Sequence, residues 1–362
     1  MKKSIKQLII LAIVGICIFN FALFSFININ FKTENENGNL KISAPPIYID
    51  DTDPSYNWSI AKDAGICTGE GTYSEPYLIE GVVIDGTGLD LNLIMIENSD
   101  VFFRIENCIL QDVEGLNSAI RLSNVDNGQL INNNCTIGGF MSTGIRLDYS
   151  NNITISGTIC RPPSPTDYGG NYGIALRNSI NNTVSGNILD SNNGAGIYIY
   201  NSNDNFISGN TITAAWTAAI DITYYSMYNT LSDNIISGGA HNGIRMGNSN
   251  NNTILRNTVN DFIEAGIYVL DSHYSIISEN TANNNGHGIK LENSDYNIVT
   301  GNNLRGNDVC IEEIDCENNV LSDNTCGGEA EAIPGYLLFW VLGAIFVGSA
   351  INILIIIKKK RK

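Results

Sequence analysis

Six side chains recur in one phase of a repeated pattern and carry complementary chemistry: Tyr198, Tyr200, Asp221, Arg245, Tyr268 and Lys290. Aromatic faces stack on sugar rings, and charged groups beside them bond hydroxyls or carboxylates, so these are the components a glycan-binding groove needs. They belong to a longer outward stripe of paired positions, namely Arg146/Asp148, Ala175/Arg177, Tyr198/Tyr200, Asp221/Thr223, Arg245/Gly247, Tyr268/Leu270, Lys290/Glu292 and Glu312/Ile314. Exposed Tyr, Arg and Lys also set strand register through cross-strand pairing, and that plainer reading stands beside the first. Hydrolysis of a glycosidic bond needs two carboxylates about 5–9.5 Å apart. Asp221 has Tyr198 and Arg245 as its neighbours in phase, not an acid. A lyase would use an Arg or Lys base such as Arg245 or Lys290, yet nothing in the sequence selects either.

What brings these residues together is a repeat. Aligning Ile94, Ile120, Ile145, Ile174, Ile197, Ile220, Ile244, Ile267, Ile289 and Ile311 gives steps of 22 to 29 residues. Each copy opens with a small residue, continues with an apolar-x-apolar triplet and a polar corner, and reaches an aliphatic residue three places before an asparagine. An asparagine ladder runs in step through Asn107, Asn134, Asn187, Asn210, Asn234, Asn257, Asn280, Asn302 and Asn324, interrupted at Thr158. A fixed period of this size means stacked units that bury their apolar edges only against neighbours. The apolar residues are mostly Ile and Val, alternating over short runs bounded by Asn, Asp, Ser and Gly, which predicts short strands. The asparagines are then structural, bonding the backbone and one another at sharp corners. A leucine-rich repeat would require apolar residues five and eight places before each asparagine, and Asn205 and Ser202 fail that test against Asn210. The expected fold is all-β, a right-handed parallel β-helix of about ten coils.

The ends read differently. Residues 1–31 carry Lys2, Lys3 and Lys6 ahead of an apolar run, the pattern of a signal peptide or signal anchor. A polar linker over 32–44 leads to an N-terminal cap and first coil over 45–90, in which Trp58 to Ala64 is expected to form a short helix plugging the open end of the stack. An unplugged end would expose apolar residues and unpaired backbone. The repeats occupy 91–326, with a linker at 327–335. Residues 336–357 are 22 uncharged residues, about 33 Å as a helix, and the basic tail 358–362 follows at once. The segment is expected to be a transmembrane helix or a processed sorting signal, with the tail cytoplasmic and the solenoid outside the cell membrane.

The cap residues Gly71-Thr72…Glu75-Pro76-Tyr77 and Val83-Ile84-Asp85-Gly86, followed by coils of the form Ile-x-Ile…Asn-Ser…Ile-x-x-Asn, resemble NosD-like parallel β-helix proteins. These form part of the wider carbohydrate-binding and sugar-hydrolase repeat class, and the anchored ends look like those of archaeal surface versions. The resemblance covers about 45–326. It implies the solenoid firmly, but its activities range over glycan binders, polysaccharide lyases and hydrolases, and an accessory protein of copper-enzyme maturation.

Charge narrows the partners. The chain has 37 Asp and Glu against 20 Lys and Arg, and eight of those bases lie in the two terminal clusters, so the expected ectodomain is strongly acidic. Nucleic acid is excluded as a partner on that balance. Polysaccharide or a cell-surface glycan is the expected one, with a surface spacer as the plainer role. The three histidines, His241, His273 and His287, are too dispersed to share an ion, and neither metal nor cofactor is expected. Cys108 and Cys135 follow ladder asparagines in neighbouring coils, which places them about 4.8 Å apart as a candidate disulfide or as two buried thiols. Cys310, Cys316 and Cys326 could supply another bridge, whose pairing the sequence does not fix. Glycosylation sequons stand at Asn57, Asn134, Asn152, Asn181 and Asn251. Asn134, as a ladder member, is expected to stay unmodified, while Asn152, Asn181 and Asn251 share one corner.

Overall fold

The structure, a computed structural model, describes residues 33–34, 41–139, 142–163, 172–190 and 194–327. The expected signal segment at 1–31 and the apolar segment at 336–357 lie outside the described residues. Among the described residues no helix is long and apolar enough to cross a membrane.

From Ile47 to Phe262 each coil contributes one strand to each of three sheets in turn. In one coil these are Ala195–Tyr200, Phe206–Ser208 and Thr211–Ala215, after which Ala218–Thr223 begins the next. Sheet I has 11 strands, from Ile47–Asp50 to Val309–Ile314; sheet II has 11, from Tyr77–Glu80 to Val320–Ser322; sheet III has 10 and ends at Thr258–Phe262. Coil on coil the pairing is parallel, and Ile197 faces Ile220, which faces Ile244. Sequence phase therefore equals position on a face.

The interior is built from aliphatic stacks. Ile174, Ile197, Ile220, Ile244 and Ile267 line sheet I, Val184, Ile207, Leu231 and Ile254 line sheet II, and Leu189, Ile212, Ile236 and Val259 line sheet III, all fully buried. β-Branched and other aliphatic side chains suit this pleated geometry, since like residues one coil apart pack flat on one another. Where sheet III turns into sheet I the corner is tight: a Cβ on Gly243 would collide with Cγ1 of Val259 and lie 2.6 Å from the Gly266 carbonyl.

Corners, not strands, hold the polar ladders. At the turn from sheet II to sheet III, the Asn210 side chain donates to Oδ1 of Asn234 (2.9 Å) and to the Val184 carbonyl (2.9 Å). The chain of amides runs Asn187, Asn210, Asn234, Asn257, Asn280, Asn302 and Asn324. Its first turns differ from expectation. Asn133, not Asn134, holds the ladder place, bonding Cys108 N and the Ile105 carbonyl, and Cys108 and Thr158 occupy it in the flanking coils. Asn107 stands one residue outside, exposed at φ 57°, and Asn134 begins a strand of sheet III with its side-chain Oδ1 buried and unbonded. Two further ladders run along the sheet I to sheet II turn. Serines 150, 179, 202, 226, 249, 272 and 294 form one, and Asn182, Asn205, Asn229 and Asn252 the other. Residues immediately before ladder positions, such as Asn201, Asp204 and Asp233, take left-handed backbone angles, which is why Asn and Asp crowd there.

The entry is plugged by the helix Trp58–Asp63, α1. Trp58 is buried, stacks on Tyr77 with centroids 4.9 Å apart, and donates to Oγ of Ser99 at 2.9 Å. Asn57 caps α1 by accepting from the Ile60 amide (3.1 Å). At the exit, the inward place that Leu291 fills one coil earlier is taken by Glu313, which is exposed and accepts from the Asn319 side chain (2.8 Å). Cys310 and Cys326 form a disulfide across this last coil.

The candidate bridge between Cys108 and Cys135 is not present, and both are free thiols. Cys108 sits at the ladder corner, while Cys135 faces Leu110 on one side and Cys160 on the other within the sheet III stack. The two thiols are two residues out of phase, because Asn107 stands one place before the ladder and Asn134 one place after it.

Candidate functional site on the outer face of sheet I

Strand alternation turns every second residue of sheet I outward. Register places Tyr198 beside Asp221, Asp221 beside Arg245, Arg245 beside Tyr268 and Tyr268 beside Lys290, with Tyr200 one place along the same strand as Tyr198. All six candidates therefore share one face. They are not equally free. Asp221 is buried and paired with Arg245 at 3.4 Å; Lys290 bonds Glu292 at 3.1 Å and lies over the Tyr268 ring, whose hydroxyl also bonds Glu292 (2.8 Å). The exit half of the stripe is thus largely satisfied by its own partners.

The concave part of the face lies toward the entry. Arg146, Asp148, Tyr149, Arg177, Asn178, Tyr198 and Tyr200 line a groove of about 350 Å³. Ala175, between Arg146 and Tyr198 in register, is fully buried beneath its neighbours and does not line the groove. Tyrosines form its exit-side wall. Tyr172 stacks on Tyr198 (4.5 Å between centroids, planes 11° apart), Tyr200 stacks on Tyr224 (4.7 Å), and Tyr198 and Tyr200 are 6.1 Å apart. Burial pushes the Tyr198 phenol up to about 12, so its hydroxyl stays protonated as a donor.

Guanidinium groups form the opposite wall. Arg121 and Arg146 both bond Asp148, at 3.0 Å and 2.8 Å. Arg177 faces Asp148 in register yet makes no ion pair or hydrogen bond among the described residues, and its Nε is buried without a partner. Its guanidinium rests 5.8 Å and 5.7 Å from the Tyr172 and Tyr198 ring centres. Burial, reinforced by the charges of Arg177 and Arg121, holds the Arg146 guanidinium below its ordinary value although Asp148 pulls the other way. Of these three cations two bond Asp148, and Arg177 bonds no carboxylate among the described residues.

Arg146, Asp148 and Arg177 are in the outward phase of the sequence, but Tyr172, Tyr149 and Tyr224 escaped the pattern, since they stand before or after the apolar triplet. The repeated basic residues at Arg121, Arg146 and Arg177, in an otherwise acidic chain, were the signal available. A second concavity, of about 360 Å³, lies on sheet II near the cap and includes Tyr73, Phe102 and Arg104. There Arg104 already bonds Gln129 (3.0 Å) and Glu106 (3.5 Å), so no cation is left over. The sequon residues Asn152 and Asn181 lie on one corner bonded to each other, with Asn251 further along the same edge; Asn57 is the α1 cap.

The family model described as "Periplasmic copper-binding protein (NosD)" matches residues 91–270 and 224–332. The chain belongs to the NosD family. Its solenoid is similar to solved parallel β-helices, among them the Azotobacter vinelandii mannuronan C-5 epimerase AlgE4 A-module (14% identity, TM-score 0.50, 70% of this chain and 81% of that one). A mutant of the periplasmic alginate epimerase AlgG is likewise similar (14% identity, TM-score 0.50, 79% and 85%). At that identity the likeness concerns the fold. No curated protein sequence matches the chain.

The family's description raises copper, and the donors of this NosD-family chain do not converge on an ion. Among the described residues no three His, Cys, Asp or Glu side chains come together. Each histidine faces a carboxylate instead: His241 with Glu264 (2.7 Å), His273 with Asp295 (3.7 Å) and His287 with Glu312 (3.0 Å). The thiols are poor ligands as they stand. A hydrogen bond to Cys160 and burial raise Cys135, and burial pushes Cys108 up to about 12, while a metal requires the thiolate.

Proposed function

We propose that this NosD-family solenoid binds a polysaccharide along the outer face of sheet I, with Tyr198 and Tyr200 as the stacking platform. The observation that carries the reading is the plate of four stacked tyrosines, Tyr172, Tyr198, Tyr200 and Tyr224, of which Tyr198 and Tyr200 line a groove of about 350 Å³. Rigid aromatic rings offer large apolar faces at small entropic cost, and polar groups beside them fix orientation. The stripe from Asp221 through Arg245 and Tyr268 to Lys290 extends the same face toward the exit, where a longer chain would continue. The apolar segment 336–357 would hold the solenoid on the outer side of the cell membrane, as in surface-anchored archaeal versions.

A glycan array probed with the full-length chain tests this. Binding that falls at least tenfold in Tyr198→Ala and Tyr200→Ala supports the platform. An array with no signal leaves the surface-spacer role.

Catalysis is the second reading, favoured by one constellation. Asp221 is raised by burial, Arg245 stands 3.4 Å from it, and Tyr198 is its register neighbour. An acid, a cation and a phenol together suit proton abstraction beside a sugar carboxylate better than hydrolysis. The two acids near the groove, Asp148 and Asp221, are three coils apart, roughly 14 Å at one strand spacing per coil, outside the range a glycosidase uses. Appearance of the unsaturated product from a uronic-acid polymer, abolished by Arg245→Ala, would establish lyase activity.

A further inference from the structure

We infer that the groove bounded by Arg146, Arg177 and Tyr198 is a subsite for the carboxylate of an acidic sugar, a uronate residue. The inference deepens the polysaccharide reading and rests on it.

The local charge is the first ground. The chain as a whole carries 37 acidic and 20 basic residues, yet three of its arginines stand on this one face in consecutive coils. Among the described residues Asp148 is the only carboxylate bonded to any of them, and it serves Arg121 and Arg146 at once. Collecting like charges is unfavourable unless an anion joins them. A structural role would have neutralised Arg177, as Arg256 is neutralised by two bonds to Asp233 (2.8 and 2.9 Å) at another corner.

The geometry is the second ground. Arg177 lines the groove beside the stacked Tyr172 and Tyr198 rings, 5.8 and 5.7 Å from their centres. A planar guanidinium offers paired donors that match a carboxylate. The groove, about 350 Å³, has room for a sugar ring, and Tyr198 on its wall supplies that ring with a stacking face. Asp148 and Asn178 at the groove edge can accept from and bond the sugar hydroxyls. One uronate unit would thus find a carboxylate clamp, a stacking face and hydroxyl partners at one place, and a neutral hexose would leave the clamp unused.

The test compares polygalacturonate and polymannuronate with methyl-esterified pectin, neutral dextran and dextran sulfate, using the full-length chain and isothermal calorimetry at two salt concentrations. The expected result is binding of a polyuronate at least tenfold tighter than of its ester or of dextran, weakened by salt. That preference should be lost in Arg177→Ala, partly kept in Arg177→Lys and unchanged in Arg256→Ala. Circular dichroism and the melting midpoint confirm that each variant is folded. Equal affinity for polyuronate, ester and dextran would overturn the carboxylate subsite and leave polysaccharide binding intact. Equal affinity for dextran sulfate would mean that the groove reads charge and not the carboxylate. Equal losses in Arg177→Ala and Arg256→Ala would place the site elsewhere, and no binding of any polymer would overturn both readings.

Discussion

Asn210 donates its side-chain amide to Oδ1 of Asn234 and receives no bond back from it; the same oxygen also takes the Asn210 backbone N–H, at 3.0 Å. Each ladder residue is therefore an acceptor for the coil before it and a donor to the coil after it. A directional chain of this kind ties coils together at a place where the bend would leave amides without partners.

Asn234→Ala removes the acceptor for Asn210 N and its side chain, and the donor to the Ile207 carbonyl and to Asn257. With buried groups orphaned at about 1–3 kcal/mol each, we expect a loss of roughly 2–4 kcal/mol. Chemical denaturation measures it, and hydrogen exchange should show the loss centred on the coils at Asn210 and Asn257. A change within experimental error would mean that water replaces the ladder.

Asp221 gives stability a pH dependence of defined sign. Burial raises its carboxyl above the ordinary 3.8, with Arg245 opposing, so the folded chain holds the proton more tightly than the unfolded one. Its contribution is therefore fully present below about 3.8 and is lost as pH rises through the folded value. Asp221→Asn should match the parent in acid and be at least as stable at neutral pH. Melting midpoints of the two proteins across pH 3–7 decide it, and a variant that is weaker only at neutral pH would show that Arg245 outweighs desolvation.

The exit end is closed by two devices that can be removed separately. Cys326→Ala opens the bridge to Cys310, whose 16-residue separation corresponds to about 3 kcal/mol of chain entropy. Faster hydrogen exchange over 309–326, with the coil at Ile197–Ile212 unchanged, is the expected outcome. Glu313→Leu continues the aliphatic stack to the open edge, and sedimentation should then report concentration-dependent self-association. A monomeric Glu313→Leu chain would mean that something else covers the end.

Much of the fold is legible in the sequence. Once Ile197, Ile220 and Ile244 recur at nearly constant spacing, a stacked solenoid follows, because an apolar edge of two dozen residues has nothing but its neighbour to bury against. The outward placement of Tyr198, Asp221, Arg245, Tyr268 and Lys290 follows in turn from strand alternation. Phase was less secure where the repeat is irregular. Steps of 25 to 29 residues through Ile120, Ile145 and Ile174 allowed a one-residue error. One such error put Asn107 in the ladder in place of Cys108 and another, in the opposite sense, put Asn134 there in place of Asn133; together they paired Cys135 with Cys108, where Leu110 and Cys160 are its true neighbours.

The amino-acid order by itself determined which residues share a face, since that depends only on period and alternation. Tertiary structure decided which of them remain available. Whether Arg245 is spent on Asp221 while Arg177 bonds no carboxylate among the described residues depends on contacts between coils more than twenty residues apart. Those contacts are set by side-chain reach and packing at each corner, quantities that a repeating pattern of residue types does not contain.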